Sequence, residues 1–550
     1  MTSAPRQTMA ERTRDLSTIL TQWPSVSATA GEAAFGPKLR DLLAETPYFA
    51  SRPDQVLTLP SHGEPLRESV VALVRGSGRR TLVLAGHYDT VSITNYGTLA
   101  GLATDPDALL PALIAELEGR PRNAAEDLAL ADLKSGDFVP GRGLLDMKSG
   151  LAAGIAAMEL FAEHPEAVGN LLFVATPDEE ALSRGMRSLR TYLPGIAERF
   201  GLDIVGAINL DASSCEKNGE EGRAVYLGSI GKFLPFAFVI GRPTHAGYPF
   251  NGISAHRIAA DILRAVDTNP DLRDAAHGEV SPAPVCLEMK DLRDAYDVTT
   301  PDRVWLAFNW LTHRRTPGEL LGDFRDIVAR AADAAVGQQA AHRRTAMGTS
   351  GAETGDRPAI LTYEQVHRRV AERGGSDALA RLASLEASLA SKDNPLEITR
   401  ALVDAAVTEA GIEGPAVVIG FGSLHYPLVH IDRFGADGAR MQAAIASVMQ
   451  EVAARHATSI TFKQIFAGIS DMSYLGHRPD TTDGAIIKGN TPASVFADDA
   501  PADLLAFPVV NIGPWGRDYH QKWERAHAPY TFEVLPDLVF EAACRWLAET

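Results

Sequence analysis

Cysteine is scarce in this sequence, and its distribution limits the chemistry that the chain supports. Three cysteines, Cys215, Cys286 and Cys544, occur among 550 residues, and long stretches separate them. An odd number of scattered cysteines is typical of reduced thiols rather than of a disulfide framework. It also excludes a zinc site built on cysteine, so any metal ion must be held by histidine and carboxylate groups.

Positive charge and long apolar runs are lacking as well. The 70 Asp and Glu outnumber the 52 Lys and Arg, which gives a formal net charge of -18 at pH 7. This balance argues against binding to nucleic acid or to an anionic membrane surface. No apolar stretch approaches the length of a membrane span, and the N-terminus is polar and charged where a signal peptide is apolar. The expected location is therefore the cytoplasm.

The length of the chain predicts two domains, one of them enlarged by an insertion. Strand and helix patterns alternate in residues 1–221 and again in residues 435–550. This alternation predicts an α/β domain with a central, mostly parallel sheet flanked by helices. Residues 222–434 have the pattern of an inserted α+β domain, with an extra helical segment at about 349–415.

Three predicted strands, at about 81–85, 171–176 and 203–210, end in side chains that can bind metal. In an open α/β sheet, ligands bind at the carboxyl ends of the strands, so we expect these side chains to meet there. One of the ends carries three adjacent acids, which repel one another and need a cation, hydrogen-bond donors or open solvent. The residues are His87 and Asp89, then Asp178, Glu179 and Glu180, and then Asp211.

Two further candidates lie in glycine-rich turns. Asp146 precedes a predicted helix, and His520 follows a predicted strand near the C-terminus. Nitrogen and carboxylate ligands without cysteine suit zinc, with manganese or cobalt as alternatives. Five ligands exceed what one tetrahedral zinc ion accepts, whereas two metal ions that share a bridging carboxylate use all five and leave Glu179 as a general base. The five candidate ligands are His87, Asp146, Glu180, Asp211 and His520.

Together, the motifs that carry these residues resemble those of a known family. In order and spacing they are similar to the metal and catalytic motifs of the di-zinc family of aminoacylases, carboxypeptidases and tripeptidases. The resemblance extends from about Ser69 to the C-terminus, and it implies an α/β fold of the co-catalytic zinc exopeptidase type with an inserted lid and dimerisation domain. The motifs are HYDTV (87–91), GRGLLDMKSG (141–150), TPDEE (176–180), NLDASS (209–214) and GPWGRDYHQKWE (513–524).

The resemblance implies how the metal ligands divide. Asp146 is expected to bridge two divalent ions, one also bound by Glu180 and His520, and the other by His87 and Asp211. The peptide bond after the bridging aspartate is often cis in this family, which implies a cis bond between Asp146 and Met147.

The resemblance also implies catalytic and substrate-binding residues. Glu179 is the expected general acid/base, and Asp89 the expected partner that orients the His87 ring. GRPTHAGYP (241–249) is similar to a lid motif whose histidine stabilises the oxyanion of a neighbouring active site, so His245 is expected to bind substrate and act in trans within a homodimer. RTPGE (315–319) is similar to the arginine-containing stretch of the lid. Arg315 is therefore expected to hold a substrate carboxylate, with Arg314 as the alternative.

Some stretches depart from the common pattern of the family. YDVTTPD (296–302) replaces the usual Asn-containing turn, the lid carries the extra segment, and FGSLHYP (421–427) has no counterpart in ordinary members. The long lid and the altered turn look most like the arginine-utilisation protein branch of the family. These departures leave the hydrolytic centre intact and bear on substrate specificity.

The leading hypothesis is a metal-dependent hydrolase that cleaves an amide bond of a small peptide or an N-acyl amino acid. An alternative within enzymology is C–N hydrolysis of an arginine- or ureido-type metabolite. A third hypothesis is a non-catalytic, metal-dependent binding protein of the same fold. Retention of Glu179 together with all five candidate ligands argues against the third hypothesis.

Overall fold

A computed structural model describes residues 8–214, 223–293, 295–348, 357–392 and 394–549. Cys215 and the beginning of the predicted extra segment, residues 349–356, lie outside the described residues. Cys286 and Cys544 carry free thiols. Among the described residues, no helix combines the length and the apolarity that crossing a bilayer requires.

The helices of the described chain agree broadly with the sequence pattern. Near the N-terminus, residues 22–29 separate two helices. The helices are α1 Met9–Thr21, α2 Ala30–Ala44, α3 Pro47–Ala50, α4 Pro106–Glu118, α5 Ala124–Ser135, α6 Ser149–Ala162, α7 Arg184–Phe200, α8 Ala255–Val266, α9 Pro317–Met347, α10 Tyr363–Leu389, α11 Pro395–Glu409, α12 Gly435–Arg455, α13 Thr481–Asn490 and α14 Leu535–Ala548.

The strands include several short ones that the sequence pattern did not predict. They are β1 Val56–Pro60, β2 Glu68–Arg75, β3 Ser77–His87, β4 Phe138–Pro140, β5 Val168–Thr176, β6 Asp203–Asn209, β7 Ser213–Ser214, β8 Ala224–Tyr226, β9 Gly228–Ser229, β10 Gly231–Phe233, β11 Pro235–Ile240, β12 Ala275–Ala276, β13 Glu279–Val280, β14 Val285–Asp291, β15 Arg303–Thr312, β16 Ala359–Thr362, β17 Ala416–Phe421, β18 Val429–His430, β19 Thr461–Lys463, β20 Val509–Asn511, β21 Trp515–Arg517 and β22 Arg525–His527.

The chain divides into two compact units. The first contains Met1–Ser229, Val429–Arg478 and Pro501–Thr550, and the second contains Ile230–Leu428 and Pro479–Ala500. The sequence pattern had placed β8 in the inserted domain. That placement is wrong, because β8 pairs with β20 and β19 in the large sheet of the first unit.

The first unit is built on an eight-stranded sheet in the order β1-β2-β5-β3-β6-β20-β8-β19. At its centre β3 runs parallel to both β5 and β6, and β20 runs parallel to β6. The strands β2 and β3 follow each other directly in the chain but are not neighbours in the sheet, because β5 lies between them. The apolar run of β5 is fully buried, which explains why it takes a central position. The predicted fold class, a mostly parallel central sheet flanked by helices, is confirmed.

The second unit has its own sheet, in which β15 lies between β14 on one side and β10 and β11 on the other, followed by β17 and β16. Successive residues of β11 alternate between two apolar clusters. Ala237 and Val239 pack with residues of α8 and α9, and Phe236 and Phe238 pack with residues of α10 and α11. The extra segment therefore adds β16, parallel to β17, and covers one face of this sheet with two helices.

Candidate functional site

The predicted convergence of strand ends in the first unit occurs through the register of three parallel strands. His87, the last residue of β3, pairs with Thr176, the last residue of β5. On the other side Ala85 pairs with Asn209 at the end of β6, so Asp211 follows at the level of His87. The His87 Nε2 atom lies 3.7 Å from Asp211 Oδ1 and 3.8 Å from Glu179 Oε2.

Asp146 reaches the same place from a tightly packed turn. Gly143 has a φ of +79°, and its N–H donates to Glu524 Oε1 at 3.1 Å. The helix α6 then passes so close to β6 that a Cβ on Gly150 would lie 2.1 Å from the backbone oxygen of Leu210. A residue larger than glycine would push the helix away from the strand. The peptide bond between Asp146 and Met147 is cis, as the resemblance implied.

The Asp146 carboxylate lies between two histidine rings. Its Oδ1 is 3.2 Å from His87 Nε2, and its Oδ2 is 3.0 Å from His520 Nε2. His520 Nε2 is also 3.0 Å from Glu180 Oε1. The donor atoms form two groups that share Asp146, and within each group all atoms lie within 4.8 Å of one another: His87, Asp146 and Asp211 in one, and Asp146, Glu180 and His520 in the other.

Asp89 connects the ends of β3 and β5. Its Oδ1 lies 3.5 Å from His87 Nδ1 and accepts a hydrogen bond from the Glu179 backbone N–H at 3.0 Å. Its Oδ2 accepts the Glu180 N–H at 3.2 Å and the Ser27 hydroxyl at 2.7 Å. Burial opposes the charged form, yet the hydrogen bonds from His87, Ser27 and Glu179 lower the pKa of Asp89. Asp89 therefore remains an anion at neutral pH and can orient the His87 ring.

Burial and neighbouring charges shift the pKa values of the acids and of the histidine around Asp146. Burial raises the pKa of Glu179 well above its ordinary value, and the charges of Asp211 and Glu180 add to this effect, while His87 opposes it. Burial and the Asp146 charge raise the pKa of Glu180 to about 7. Burial alone would lower the pKa of His520, but hydrogen bonds to Asp146 and Glu180 raise it to about 10. Without a cation, these acids retain protons that a cation would displace.

Asp178, the first of the three adjacent acids, has a separate role in the structure. Its Oδ1 lies 2.5 Å from Arg67 Nη1, and both side chains are fully buried. Arg67 also pairs with Glu32, and Asp178 Oδ2 accepts the backbone N–H of Arg184. Asp178 thus holds the turn in place and belongs to neither of the two groups that could hold a metal ion. The partner Arg67 is 111 residues away, so no local pattern indicated this pair.

Other residues that support the site were missing from the sequence-based set. Glu524 is buried, pairs with Arg142 and accepts the His520 backbone N–H at 3.3 Å, so it holds the histidine loop. Ser470 and Asp471 are also buried and contact residues at the ends of β5 and β6. Glu524 is the last residue of the motif that contains His520, which was a usable signal, whereas Ser470 and Asp471 lie in a glycine- and serine-containing stretch without a matching motif.

The two predicted lid residues belong to the second unit. His245 is exposed, and its Nδ1 accepts the Gly247 N–H at 3.0 Å. The guanidinium of Arg315 lies 3.1 Å from Asp323 Oδ2 and donates to the Leu272 carbonyl at 3.1 Å. Its neighbours in the chain form the N-terminal cap of α9, where Thr316 and Glu319 make a capping box. The role of Arg315 in binding substrate stays a prediction.

The fold and the site define a class of protein. The sequence model of Peptidase family M20/M25/M40 matches residues 126–498. The chain belongs to this family and is a metal-dependent hydrolase of the peptidase and amidohydrolase type. The family predicted from the motifs is therefore confirmed.

Three known proteins are similar over nearly the whole chain. The uncharacterized protein YqjN of Bacillus subtilis (strain 168) is 29% identical over 95% of this chain and 94% of its own length. Protein RocB of the same strain is 27% identical over 96% of this chain and 94% of its own length. The crystal structure of a tripeptidase from Staphylococcus aureus subsp. aureus Mu50 is 16% identical, with a TM-score of 0.52 over 98% of this chain and 99% of that chain. This last likeness shows a shared fold.

Proposed function

We propose that the protein hydrolyses an amide bond of a small peptide or of an N-acyl amino acid at a centre of two divalent metal ions. The observation that supports this most directly is the position of Asp146, whose two oxygens face two different histidine rings at 3.2 and 3.0 Å. A carboxylate placed in this way is suited to bridging two cations that lie a few ångströms apart.

The donor set fits zinc, with manganese or cobalt as substitutes. Each of the two groups offers one histidine nitrogen and carboxylate oxygens, which is a ligand set that zinc accepts. In our proposal His87 and Asp211 hold one ion, Glu180 and His520 hold the other, and Asp146 bridges them. The raised pKa values of Glu179 and Glu180 support a cation here, because two positive ions would offset the repulsion among the acids.

Glu179 is the proposed general base. When bound, the metal ions would acidify a water molecule and polarise the scissile carbonyl. Glu179 belongs to neither metal-binding group of the described residues, although its Oε2 lies 3.8 Å from His87 Nε2. Its carboxylate can therefore take a proton from the attacking water and pass it to the departing amine. The hydrogen bond from its N–H to Asp89 fixes the backbone from which it acts.

His245 is the proposed oxyanion-stabilising residue, supplied by the partner in a homodimer. Because the Gly247 N–H donates to His245 Nδ1, that nitrogen must lack a proton. A neutral ring then carries its proton on Nε2, which can donate a hydrogen bond to an oxyanion. The edge strand β14 of the same unit supports the proposed dimer, since Leu287 and Met289 are more than two-fifths exposed there.

The role of Glu179 is tested by replacing it with Gln. The variant should bind the same number of metal ions as the natural protein but lose at least 100-fold in kcat on a panel of dipeptides and N-acyl amino acids. Glu159→Gln alters the ion pair between Glu159 on α6 and Arg12 on α1. This variant is the matched control and should keep full activity. Undiminished turnover of the Glu179 variant would show that the base has been assigned wrongly.

The role of His245 in trans is tested by mixing two inactive variants. One chain carries Glu179→Gln and the other carries His245→Ala, and the two are unfolded and refolded together. Random dimers of a two-fold assembly would contain about a quarter of sites with an intact Glu179 and an intact His245 from the partner. Activity should return to about that fraction. No recovery in a mixture that forms mixed dimers would contradict the proposal.

A further inference from the structure

Two adjacent residues of the first unit, Ser470 and Asp471, contact the ends of the two strands that flank β3. Both side chains are buried, with exposures of 0% and 1%. We propose that they are positioning residues of the metal centre: Ser470 aligns the Asp211 carboxylate, and Asp471 fixes the turn that carries Glu179 and Glu180. This inference rests on the proposed two-metal function.

The hydrogen bonds of Ser470 determine where its proton points. Its Oγ accepts a hydrogen bond from Asn209 Nδ2 at 3.0 Å and another from the Met472 N–H at 3.3 Å. The hydroxyl has one proton, and it is donated to Asp211 Oδ2 at 2.7 Å. A fixed donor on one oxygen of a metal-binding carboxylate limits how the carboxylate can rotate.

The remaining contacts of Asp211 complete this alignment. Asn511 accepts the Asp211 backbone N–H at 3.1 Å and donates to its carbonyl at 2.9 Å, so the backbone is held on both sides. Oδ1 accepts the Ala212 N–H at 2.7 Å and lies on the side of His87 Nε2. With Ser470 on Oδ2, both oxygens have set directions before any metal ion arrives. This preorganisation reduces the reorganisation that metal binding requires.

Asp471 performs the corresponding task for the turn after β5. The Thr176 hydroxyl donates to Asp471 Oδ2 at 3.0 Å, which is shorter than its 3.2 Å contact with the Gly86 carbonyl. The Ser183 side chain also forms a hydrogen bond with Asp471. Thr176 and Ser183 are the two ends of the turn that contains Glu179 and Glu180. One carboxylate therefore connects both ends of this turn.

A carboxylate at this position is costly, which argues against a role in packing alone. Asp471 Oδ1 is buried and makes no hydrogen bond among the described residues. The neighbouring acids are of like charge, and the Asp471 charge contributes to the raised pKa of Glu179. A buried acid with an unpaired oxygen lowers the stability of a fold, so its presence indicates a role other than packing. Here the turn of the general base depends on it.

The Ser470 part is tested by metal binding, independently of turnover. Ser470→Ala should weaken the affinity for one of two zinc ions about 10- to 100-fold and change the visible absorption of the cobalt-loaded protein. Ser470→Thr keeps the hydroxyl and should restore both. Ser473→Ala is the matched control, because its hydroxyl in the same segment contacts Ser229 rather than an acid.

Zinc affinities of Ser470→Ala that equal those of Ser473→Ala would overturn the inference. The proposed function would still stand if the natural protein bound two zinc ions. If the natural protein bound only one zinc ion, the proposed two-metal function itself would be wrong.

The Asp471 part is tested through its donor, Thr176. Thr176→Val keeps the shape and removes the hydroxyl, and kcat should fall about 10-fold with KM unchanged. Thr176→Ser keeps the hydroxyl and should behave as the natural protein does. A natural kcat in Thr176→Val, or a loss in Thr176→Ser as large as that in Thr176→Val, would show that the hydrogen bond to Asp471 is not what matters, and either result would overturn the proposed role of Asp471.

Discussion

The carboxylate of Asp89 accepts the backbone N–H of Glu179 at 3.0 Å, although 90 residues separate the two. The same oxygen lies 3.5 Å from the Nδ1 atom of His87. His87 Nδ1 also lies 3.1 Å from the backbone carbonyl of Asp89, so Asp89 contacts a candidate metal ligand with its carbonyl and carboxylate and holds the backbone of the proposed general base with its carboxylate. The two ends of neighbouring parallel strands cannot move independently while this carboxylate is in place.

Replacing Asp89 with Asn should affect metal binding and turnover together. An amide is neutral and has one acceptor oxygen, so it cannot accept the N–H groups of Glu179 and Glu180 and the Ser27 hydroxyl at once, and it loses the negative charge 3.5 Å from His87 Nδ1. We expect a loss of about 10- to 100-fold in metal affinity, measured by competition with a chelator, and a parallel fall in kcat/KM. Ser27→Ala removes only the hydroxyl contact at 2.7 Å and should have a smaller effect. Equal effects of the two variants would contradict this dual role.

Metal binding should release protons at pH 7. In the metal-free protein, His520 is protonated at this pH because its hydrogen bonds to the acids raise its pKa to about 10. A metal ion binds only the neutral ring, so protons compete with the metal and affinity rises with pH up to about 10. Glu180, with a pKa of about 7, should add a fraction of a proton.

The number of protons is measured by titration calorimetry in buffers of different ionisation enthalpy. We expect about one proton from His520 at pH 7, and His520→Ala should reduce the release by that amount. Metal affinity that stays constant between pH 6 and pH 9, with no release of protons, would contradict the arrangement of His520 between Asp146 and Glu180.

The Asp178→Ala variant should unfold more easily than the natural protein. Its main effect should be on stability and not on the catalysed reaction. The substitution leaves Arg67 fully buried, with Glu32 as its one remaining ion-pair partner among the described residues. Removing one member of a buried ion pair typically lowers the free energy of unfolding by about 3 to 5 kcal/mol. Because Glu32 still pairs with Arg67, the loss should be about 3 kcal/mol. Denaturant unfolding of the metal-free protein measures this. A stability equal to that of the natural protein would show that the Arg67 pair contributes little.

The helices of the extra segment should stabilise the second unit by packing. Val403 on α11 is fully buried in the cluster that contains Phe236 and Phe238. Val403→Ala should lower the free energy of unfolding by about 2 kcal/mol, from the lost apolar contact and the cavity left behind. Val280→Ala, at a position that is 56% exposed, is the matched control and should change it by less than about 0.5 kcal/mol. Equal effects would mean that this face does not depend on the segment.

The sequence predicted that the candidate ligands would lie together, because they follow regular strands. His87, Glu180 and Asp211 come directly after apolar runs, and parallel strands bring their carboxyl ends to one edge of the sheet. The same rule did not order the strands, since β5 lies between β2 and β3 although the chain connects those two directly. Sheet order depends on which strand is apolar on both faces, and that is decided by packing between distant segments.

The supporting residues could not be predicted, because their partners are distant along the chain. Asp178 pairs with Arg67 from 111 residues away, and Ser470 contacts Asp211 from 259 residues away. A serine or an acid in a loop has many ordinary functions, and its meaning here comes from the side chain that it contacts. The extra segment was predicted to be helical, but the face of the sheet that it covers became visible only in the structure.

Anomalous diffraction from crystals of the zinc-loaded protein can show whether Asp146 bridges two metal ions. Anomalous difference maps from data collected above the zinc absorption edge should show two peaks that vanish below the edge, one between Asp146, His87 and Asp211, and one between Asp146, Glu180 and His520. A single peak, or peaks away from Asp146 in a fully loaded and active protein, would contradict the account.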